Sequence, residues 1–430
     1  MDDASGMIPQ KIYMVGIGGI GMSALAQYLY MQGKEVSGSD RSESPTTELL
    51  ENHGIHVEIG DGSIPDGTEL LIYSDAVFSD HPVRQEATEK LIPELSYFQA
   101  LGDISKTMRT VAVAGTHGKT TTTGMLAKIL EDAGASPTAI VGSIVRDFES
   151  NFLPGVTDLF VVEACEYKNH LLELSPEILV ITNIELDHTD FFPNIEAMVE
   201  TFRTAAHKVP REGFIITDPA SPNVAQVLAG AQARVIDYTQ MAIGSLKLPG
   251  EFNRMNARAA LAAAKAAFPE LSLEAGVHSL SEFQGSWRRF EYKGETKGGA
   301  TVYDDYAHHP TSVDKTILAA KEKFPGKRIV VAFHPHLYSR TKSFMDEFAG
   351  ALSTADFTIV APIFAAREAD DPSVSHRILA ERVREMKGEA AAADTFDEIR
   401  TILEKESVNT VIITMGAGDI YKVAEQITQE

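Results

Sequence analysis

Lys119 is the residue in this chain most suited to chemistry. It follows the turn Gly115-Thr116-His117-Gly118 and precedes four consecutive threonines, Thr120 to Thr123. A lysine that opens a helix behind a glycine-rich turn handles phosphate. Backbone N–H groups and the helix dipole face the anion, the ammonium adds a point charge, and the Thr120 hydroxyl can reach Mg²⁺. The strict phosphate-loop pattern asks for glycine at position 113, where Val113 stands. The expected contacts of a nucleoside triphosphate are therefore Gly115, Thr116, His117, Gly118, Lys119, Thr120 and Thr121.

A second glycine run, Gly16-Ile17-Gly18-Gly19-Ile20-Gly21, matches G-x-G-x-x-G completely. Asp40 follows it at about the twenty-residue spacing at which a dinucleotide site holds a ribose. By itself this pattern places a phosphate-bearing nucleotide on a helix N-terminus without saying which one. Glu163, Asp187 and His188 end or follow apolar runs, and ligands of parallel α/β sheets collect at such carboxyl ends. Glu163 suits Mg²⁺, while an imidazole is an unusual ligand for a hard cation, so chemistry alone ranks His188 below it. Asp304, Asp305, His308 and His309 crowd one turn, which reads as functional.

These residues need strands and helices to position them. Thr110–Ala114 is β-branched and apolar, and Met125, Leu126, Ile129 and Leu130 recur at helical spacing, giving strand, turn and helix around Lys119. Lys11–Val15, the helix ending at Gly33 and the strand Glu35–Ser39 do the same for the first glycine run, and Glu69–Tyr73 delivers Ser74 to a strand end. Glu251–Phe268 is Ala-rich and helical, with Asn253 and Asn256 near its start. From Tyr292 the alternation restarts, with strands at Thr301, Arg328–Phe333, Asp356–Pro362 and Thr410–Met415.

At 430 residues the chain is long enough for about three domains. A formal net charge of -23 argues against nucleic acid or an anionic membrane as partner, though not against a small phosphorylated ligand. The single cysteine, Cys165, excludes an intramolecular disulfide and fits a reducing compartment. The opening MDDASGMIPQ has no apolar segment of the signal-peptide kind, and no run is long enough to span a bilayer. The expected location is the cytoplasm.

The stretches GIGGIGMSALA, SGSD, AGTHGKTTTT, NIELDH, NRMNARAALAA, RRFE, DDYAHHPTS and FHPHLYSRT, in this order from Lys11 to Gly418, resemble those of the Mur ligases. These are ATP-dependent amide-bond-forming enzymes of peptidoglycan synthesis. The resemblance implies an α/β protein of three domains. They are a Rossmann-like domain over 1–106 for the UDP-sugar, a central phosphate-loop ATPase domain with a mostly parallel sheet over 107–291, and a Rossmann-like domain over 292–430 for the amino acid. Histidine in GTHGKTTTT and the full GIGGIGMS turn point to the member that takes UDP-N-acetylmuramate and L-alanine.

By the same resemblance Gly18, Gly19, Ile20, Gly21, Met22, Asp40 and Ser74 would hold the UDP-sugar. Lys119 would hold the ATP phosphates, and Thr120, Glu163 and His188 would hold Mg²⁺. Asn253 and Asn256 would face adenine, Arg289 and Asp305 would hold ATP from the far side, and His308 and Arg340 would lie near the amino acid. Lys119, His188 and His308 are the implied catalytic residues. Phe252, Leu337 and the segment EACEYKNH depart from the family pattern, leaving Glu166 a provisional site residue. Arg203 stands near the place of a carbamylated lysine, so that modification is not expected. The expected state is a monomer or weak homodimer. Rival readings are a ligase that joins a whole tripeptide to the same sugar nucleotide, an NAD-dependent dehydrogenase, and a non-catalytic nucleotide-binding regulator.

Overall fold

Three β-sheets organise the chain in a computed structural model that describes residues 8–366 and 368–428. The acidic opening MDDASGM lies outside the described residues. The first sheet comprises β1 (Lys11–Val15), β2 (Glu35–Asp40), β3 (His56–Ile59), β4 (Leu70–Tyr73) and β5 (Glu94–Ser96), all parallel, in the order β3-β2-β1-β4-β5. Buried Ile12, Met14 and Leu71 explain why these short runs are strands: both faces are covered. The order reverses at β1, which opens a crevice at its carboxyl end, where the first glycine run begins.

The second sheet holds β6 (Arg109–Ala114), β7 (Thr138–Val145), β8 (Ser150–Leu153), β9 (Leu159–Glu163), β10 (Ile178–Ile181), β11 (Phe214–Thr217) and β12 (Arg234–Asp237). Its order is β12-β11-β10-β6-β9-β7-β8, with only β8 antiparallel to its neighbour. Val113 lies inside β6, opposite Glu163 on one side and Val180 on the other. The position where the strict loop pattern wants glycine is thus buried strand. Sequence pattern does not single out β8, because Ser150 and Asn151 read as loop. They are buried because the helix Ile20–Met31 packs on them, with Asn151 Nδ2 donating to Ile20 O and to Ser23 Oγ.

The third sheet holds β13 (Glu291–Glu295), β14 (Thr301–Asp305), β15 (Arg328–Phe333), β16 (Phe357–Val360), β17 (Ala390–Ala392) and β18 (Thr410–Met415), ordered β13-β14-β18-β15-β16-β17. Only the edge strand β13 is antiparallel. Phe333, Ile413 and Phe348 anchor its core.

The chain divides into two compact units. The first contains the described residues up to Glu185 together with Glu196–Gly244 and Asn256–Phe283, and so both of the first two sheets. The second contains Leu186–Ile195, Ser245–Met255 and the described chain from Gln284 onward, and so the third sheet. Among the described residues no helix is long and apolar enough to cross a membrane.

Candidate active site

In the first unit, β6 runs into the Gly115–Gly118 turn and the helix Lys119–Asp132. Gly118 caps that helix at φ 85°, a left-handed conformation, and a Cβ there would lie 2.2 Å from Asn256 Oδ1. The segment after β10 holds the loop from outside. Asn183 Oδ1 accepts from the His117 N–H at 3.0 Å, and the Thr182 hydroxyl donates to His117 O at 2.7 Å. His117 Nε2 lies 3.3 Å from Glu185 Oε2. Thr121 is buried on the first turn of the helix.

Lys119 turns back over its own loop. Its ammonium donates to Gly115 O at 2.5 Å and pairs with Glu166 Oε2 at 2.9 Å. Glu166 is fully buried. Desolvation pushes the ammonium toward the neutral form, but the Glu166 and Glu163 carboxylates outweigh it and its pKa is raised. Only the EACEYKNH departure marks Glu166 in the sequence. The residue that follows the loop lysine is equally well placed: the Thr120 hydroxyl donates to Glu163 Oε1 at 3.1 Å. Glu163 Oε2 accepts from the Gly142 N–H at 2.8 Å, so β7 orients the carboxylate that β9 delivers. A hydroxyl and a carboxylate converging beside a phosphate turn are the hard oxygen donors that Mg²⁺ takes, so the residues fit that ion.

The other glycine run forms one wall of a cavity of about 340 Å³ that is also lined by Ser39, Asp40, Ser74 and His81. Asp40 Oδ2 accepts from the Gly18 N–H at 2.8 Å, so its carboxylate holds the turn. Gly19 N–H turns back to Gly16 O at 3.1 Å, and the helix starting at Ile20 carries Gly21 and buried Met22. Ser74 closes the cavity from the end of β4, its N–H on Val15 O at 3.1 Å.

The second unit gathers a different cluster. Arg340 is buried, donating from Nε and Nη2 to Asp187 Oδ1 at 3.0 and 2.6 Å, with Nη1 3.0 Å from His336 Nδ1. The guanidinium holds the Asp187 carboxyl well below the usual range against the opposing effect of burial. His308 Nδ1 lies 2.8 Å from Tyr306 O; a carbonyl only accepts, so Nδ1 carries the proton and the lone pair is on Nε2. Burial, and then the Arg340 charge, lowers the His308 pKa well below its ordinary value, leaving a neutral imidazole. His188 follows Asp187 at φ 51°, its N–H on Asp187 Oδ1 at 2.7 Å.

Arg288 and Arg289 part company in this unit. Arg288 is buried, its Nε on Asp304 Oδ2 at 2.8 Å and its Nη atoms on Gly416 O and Gly418 O, and so it holds the fold. Arg289 lies over the Tyr306 ring at 5.1 Å. Asp305 accepts from the Phe290 and Ala307 N–H groups at 2.7 and 2.8 Å, and burial pushes its carboxyl up to about 6. Asn253 donates to Pro249 O at 2.7 Å at the start of the helix Glu251–Ala267, whose later residue Asn256 belongs to the first unit. Phe252 packs against the core of the third sheet. Leu337 is buried at φ 69°, so the apolar departure faces inward. Arg203 pairs with Glu200 on the helix Ile195–Lys208.

A phosphate turn opened by lysine, a hydroxyl–carboxylate pair beside it and a glycine-lined cavity at a sheet switch point define an α/β protein built for nucleotides with phosphate chains. The chain belongs to the Mur ligase family. Its residues 11–109 match the model of the Mur ligase family catalytic domain, 113–244 the Mur ligase middle domain and 288–418 the Mur ligase glutamate ligase domain. It is 38% identical to the UDP-N-acetylmuramate–L-alanine ligase of Salinibacter ruber, over 98% of this chain and 94% of that protein. The crystal structure of the UDP-N-acetylmuramate-alanine ligase of Thermotoga maritima superposes with a TM-score of 0.82 at 28% identity, covering 97% of this chain and 98% of that one. A murein peptide ligase from Psychrobacter arcticus shares the fold, with a TM-score of 0.71 at 24% identity over 98% of this chain and 100% of that one. The α/β class with three sheets is thus that of a three-domain Mur ligase.

Proposed function

We propose that this chain joins L-alanine to UDP-N-acetylmuramate at the expense of ATP, in the cytoplasm and as a monomer or weak homodimer. The observation that carries the reading is the convergence of Lys119, Thr120 and Glu163 at one phosphate turn, in a chain 38% identical at full length to a ligase of that name. The proposed segments are 1–106 for the UDP-sugar, 107–291 for ATP and 292–430 for the amino acid.

In this mechanism the lactyl carboxylate attacks the γ-phosphorus of ATP, ADP leaves, and an acyl phosphate forms. The alanine amine then attacks the acyl carbon, and the tetrahedral intermediate expels phosphate. Backbone N–H groups of Gly115–Gly118 and the Lys119 ammonium stabilise the charge that builds on the transferring phosphoryl group. Mg²⁺, taken by Thr120 and Glu163 with His188 as the proposed further ligand, supplies additional neutralisation when bound. Asn253 and Asn256 face adenine, and Arg289 and Asp305 hold ATP from the far side. Gly18, Gly19, Ile20, Gly21, Met22, Asp40 and Ser74 seat the sugar nucleotide, whose diphosphate meets the N-terminus of the helix Ile20–Met31. His308, neutral and with its lone pair on Nε2, is the proposed acceptor of the proton that alanine must lose before it attacks. Arg340 lies beside it as the proposed guide of the alanine carboxylate.

The test is ADP release from purified protein given ATP, Mg²⁺ and UDP-N-acetylmuramate. Release that depends on L-alanine supports the reading. Release that depends instead on the stem tripeptide would make the chain the recycling ligase.

A further inference from the structure

Tyr97 stands where the glycine-walled cavity of the first unit gives way to the segment that carries Glu163. β5 pairs with β4 in the register Tyr73↔Ser96, so the residues that follow, Ser74 and Tyr97, leave the carboxyl edge of the first sheet together. Ser74 lines the cavity. Ser96 caps the helix Tyr97–Ser105, its hydroxyl accepting from the Gln99 N–H at 3.2 Å, which fixes Tyr97 as the first helical residue. From there the ring reaches Gly21, in the first turn of the helix Ile20–Met31. A Cβ on that glycine would lie 2.6 Å from both Tyr97 Cζ and Tyr97 Oη. Glycine at this position is thus what lets the phenol approach the glycine turn.

Tyr97 is tied to the second site as well. Phe98 meets it edge-on, with ring centroids 4.8 Å apart, and stacks on His170 at 3.7 Å. His170 belongs to the segment that β9 sends out from Glu163. Burial first, and then the Glu163 carboxylate, push the Tyr97 pKa upward, so the phenol is a neutral O–H. Among the described residues none hydrogen-bonds to its Oη. A half-buried hydroxyl with no acceptor in its own chain takes one from water or from a ligand.

Position selects the ligand oxygen. Under the ligase reading the diphosphate of the sugar nucleotide meets the backbone of the glycine turn. The lactyl carboxylate must then travel on toward the γ-phosphate held at Lys119, past the Glu163 charge that repels it. An uncharged donor at Tyr97 offsets that repulsion and leaves the nucleophile its lone pairs.

We propose that the Tyr97 hydroxyl binds the lactyl carboxylate of UDP-N-acetylmuramate and holds it for attack on ATP. The proposal rests on the ligase reading and adds to it a residue that touches the reacting group. Tyr97 keeps its proton throughout and orients the carboxylate.

Tyr97→Phe removes only the hydroxyl. The ring stays against Gly21 and Phe98 and no hydrogen bond within the described chain is lost, so the melting temperature should match the wild type. Calorimetry then compares two ligands that differ by the lactyl group, UDP-N-acetylmuramate and UDP-N-acetylglucosamine. The wild type binds the first more tightly. In Tyr97→Phe the affinity for UDP-N-acetylmuramate falls about tenfold or more, the loss expected for a hydrogen bond to a charged group. The affinities for UDP-N-acetylglucosamine and for a non-hydrolysable ATP analogue stay as they were. Equal losses for both sugar nucleotides would assign the hydroxyl to the diphosphate and overturn the proposal. Unchanged binding of UDP-N-acetylmuramate, or a wild type that does not distinguish the two, would overturn it as well. If the wild type binds neither sugar nucleotide, the ligase reading itself falls, which is a distinguishable result.

Discussion

Lys119 and Glu166 show how a side chain proposed for catalysis acquires a structural duty. Taken from sequence alone, a loop lysine is dispensable for folding; paired with a fully buried carboxylate it is not. Lys119→Ala should lower turnover by roughly 10²–10³, the usual loss when one transition-state charge partner is removed. It should also lower stability, because the buried Glu166 carboxylate loses its ion pair with the ammonium. Lys119→Ala combined with Glu166→Gln should recover the melting temperature and none of the activity. Failure of that recovery would show that the pair is not what holds the segment. Arg340→Ala strips Asp187 of its partner and should cost about 3–5 kcal/mol of stability. Under the proposed function it should also raise the KM for alanine about tenfold or more in the molecules that remain folded, as expected for a lost charged hydrogen bond. Melting temperature and alanine KM on one preparation separate the two effects; a normal KM would leave Arg340 purely structural. His334, buried between the Phe364 and Phe396 rings, is drawn down to about 4 by desolvation. It folds neutral, so its contribution is complete above the ordinary pKa of 6.5 and is lost as pH falls from there toward 4. The difference amounts to roughly 3 kcal/mol. His334→Gln should flatten the melting-temperature profile over that window, and parallel profiles would refute the assignment.

At the scale of the element, the glycine turn after β1 and the phosphate turn after β6 are each built by what surrounds them. A Cβ on Gly21 would come within 2.6 Å of the Tyr97 ring, whereas on Gly19 its nearest neighbour would be Gly16 O at 3.3 Å. Gly21→Ala should therefore loosen the packing of the helix Ile20–Met31 and lower the melting temperature. Gly19→Ala should fold almost normally and weaken UDP-N-acetylmuramate by about tenfold, because a methyl group there keeps a diphosphate from the backbone. Separate titrations of the sugar nucleotide and an ATP analogue check this, since only the first should suffer. Equal losses for both ligands would mean that the roles of the two turns are confused.

For the whole molecule, ligand linkage provides the broadest test. UDP-N-acetylmuramate at a hundred times its Kd should raise the unfolding free energy by about 2.7 kcal/mol, and NADH should raise it by nothing measurable. A shift with NADH and none with the sugar nucleotide would return the chain to the dehydrogenase reading.

How much of this was legible before folding depends on the range of the interaction. The strand–turn–helix around Lys119, the glycine run before Ile20 and the acids ending β9 and β14 are local patterns, set by hydrophobic period and by what glycine permits within a few residues. They suffice for the fold class and the nucleotide chemistry. Which charges find which partners is a matter of long range. Arg288 and Arg289 are adjacent and identical in type, yet Arg288 is sealed against Asp304 while Arg289 lies over Tyr306. Arg340 meets Asp187 from 153 residues away, and Glu166 meets Lys119 from 47. Side-chain type alone cannot assign such pairs, because the energy that selects them comes from desolvation, and burial exists only once the sheets have closed over the chain.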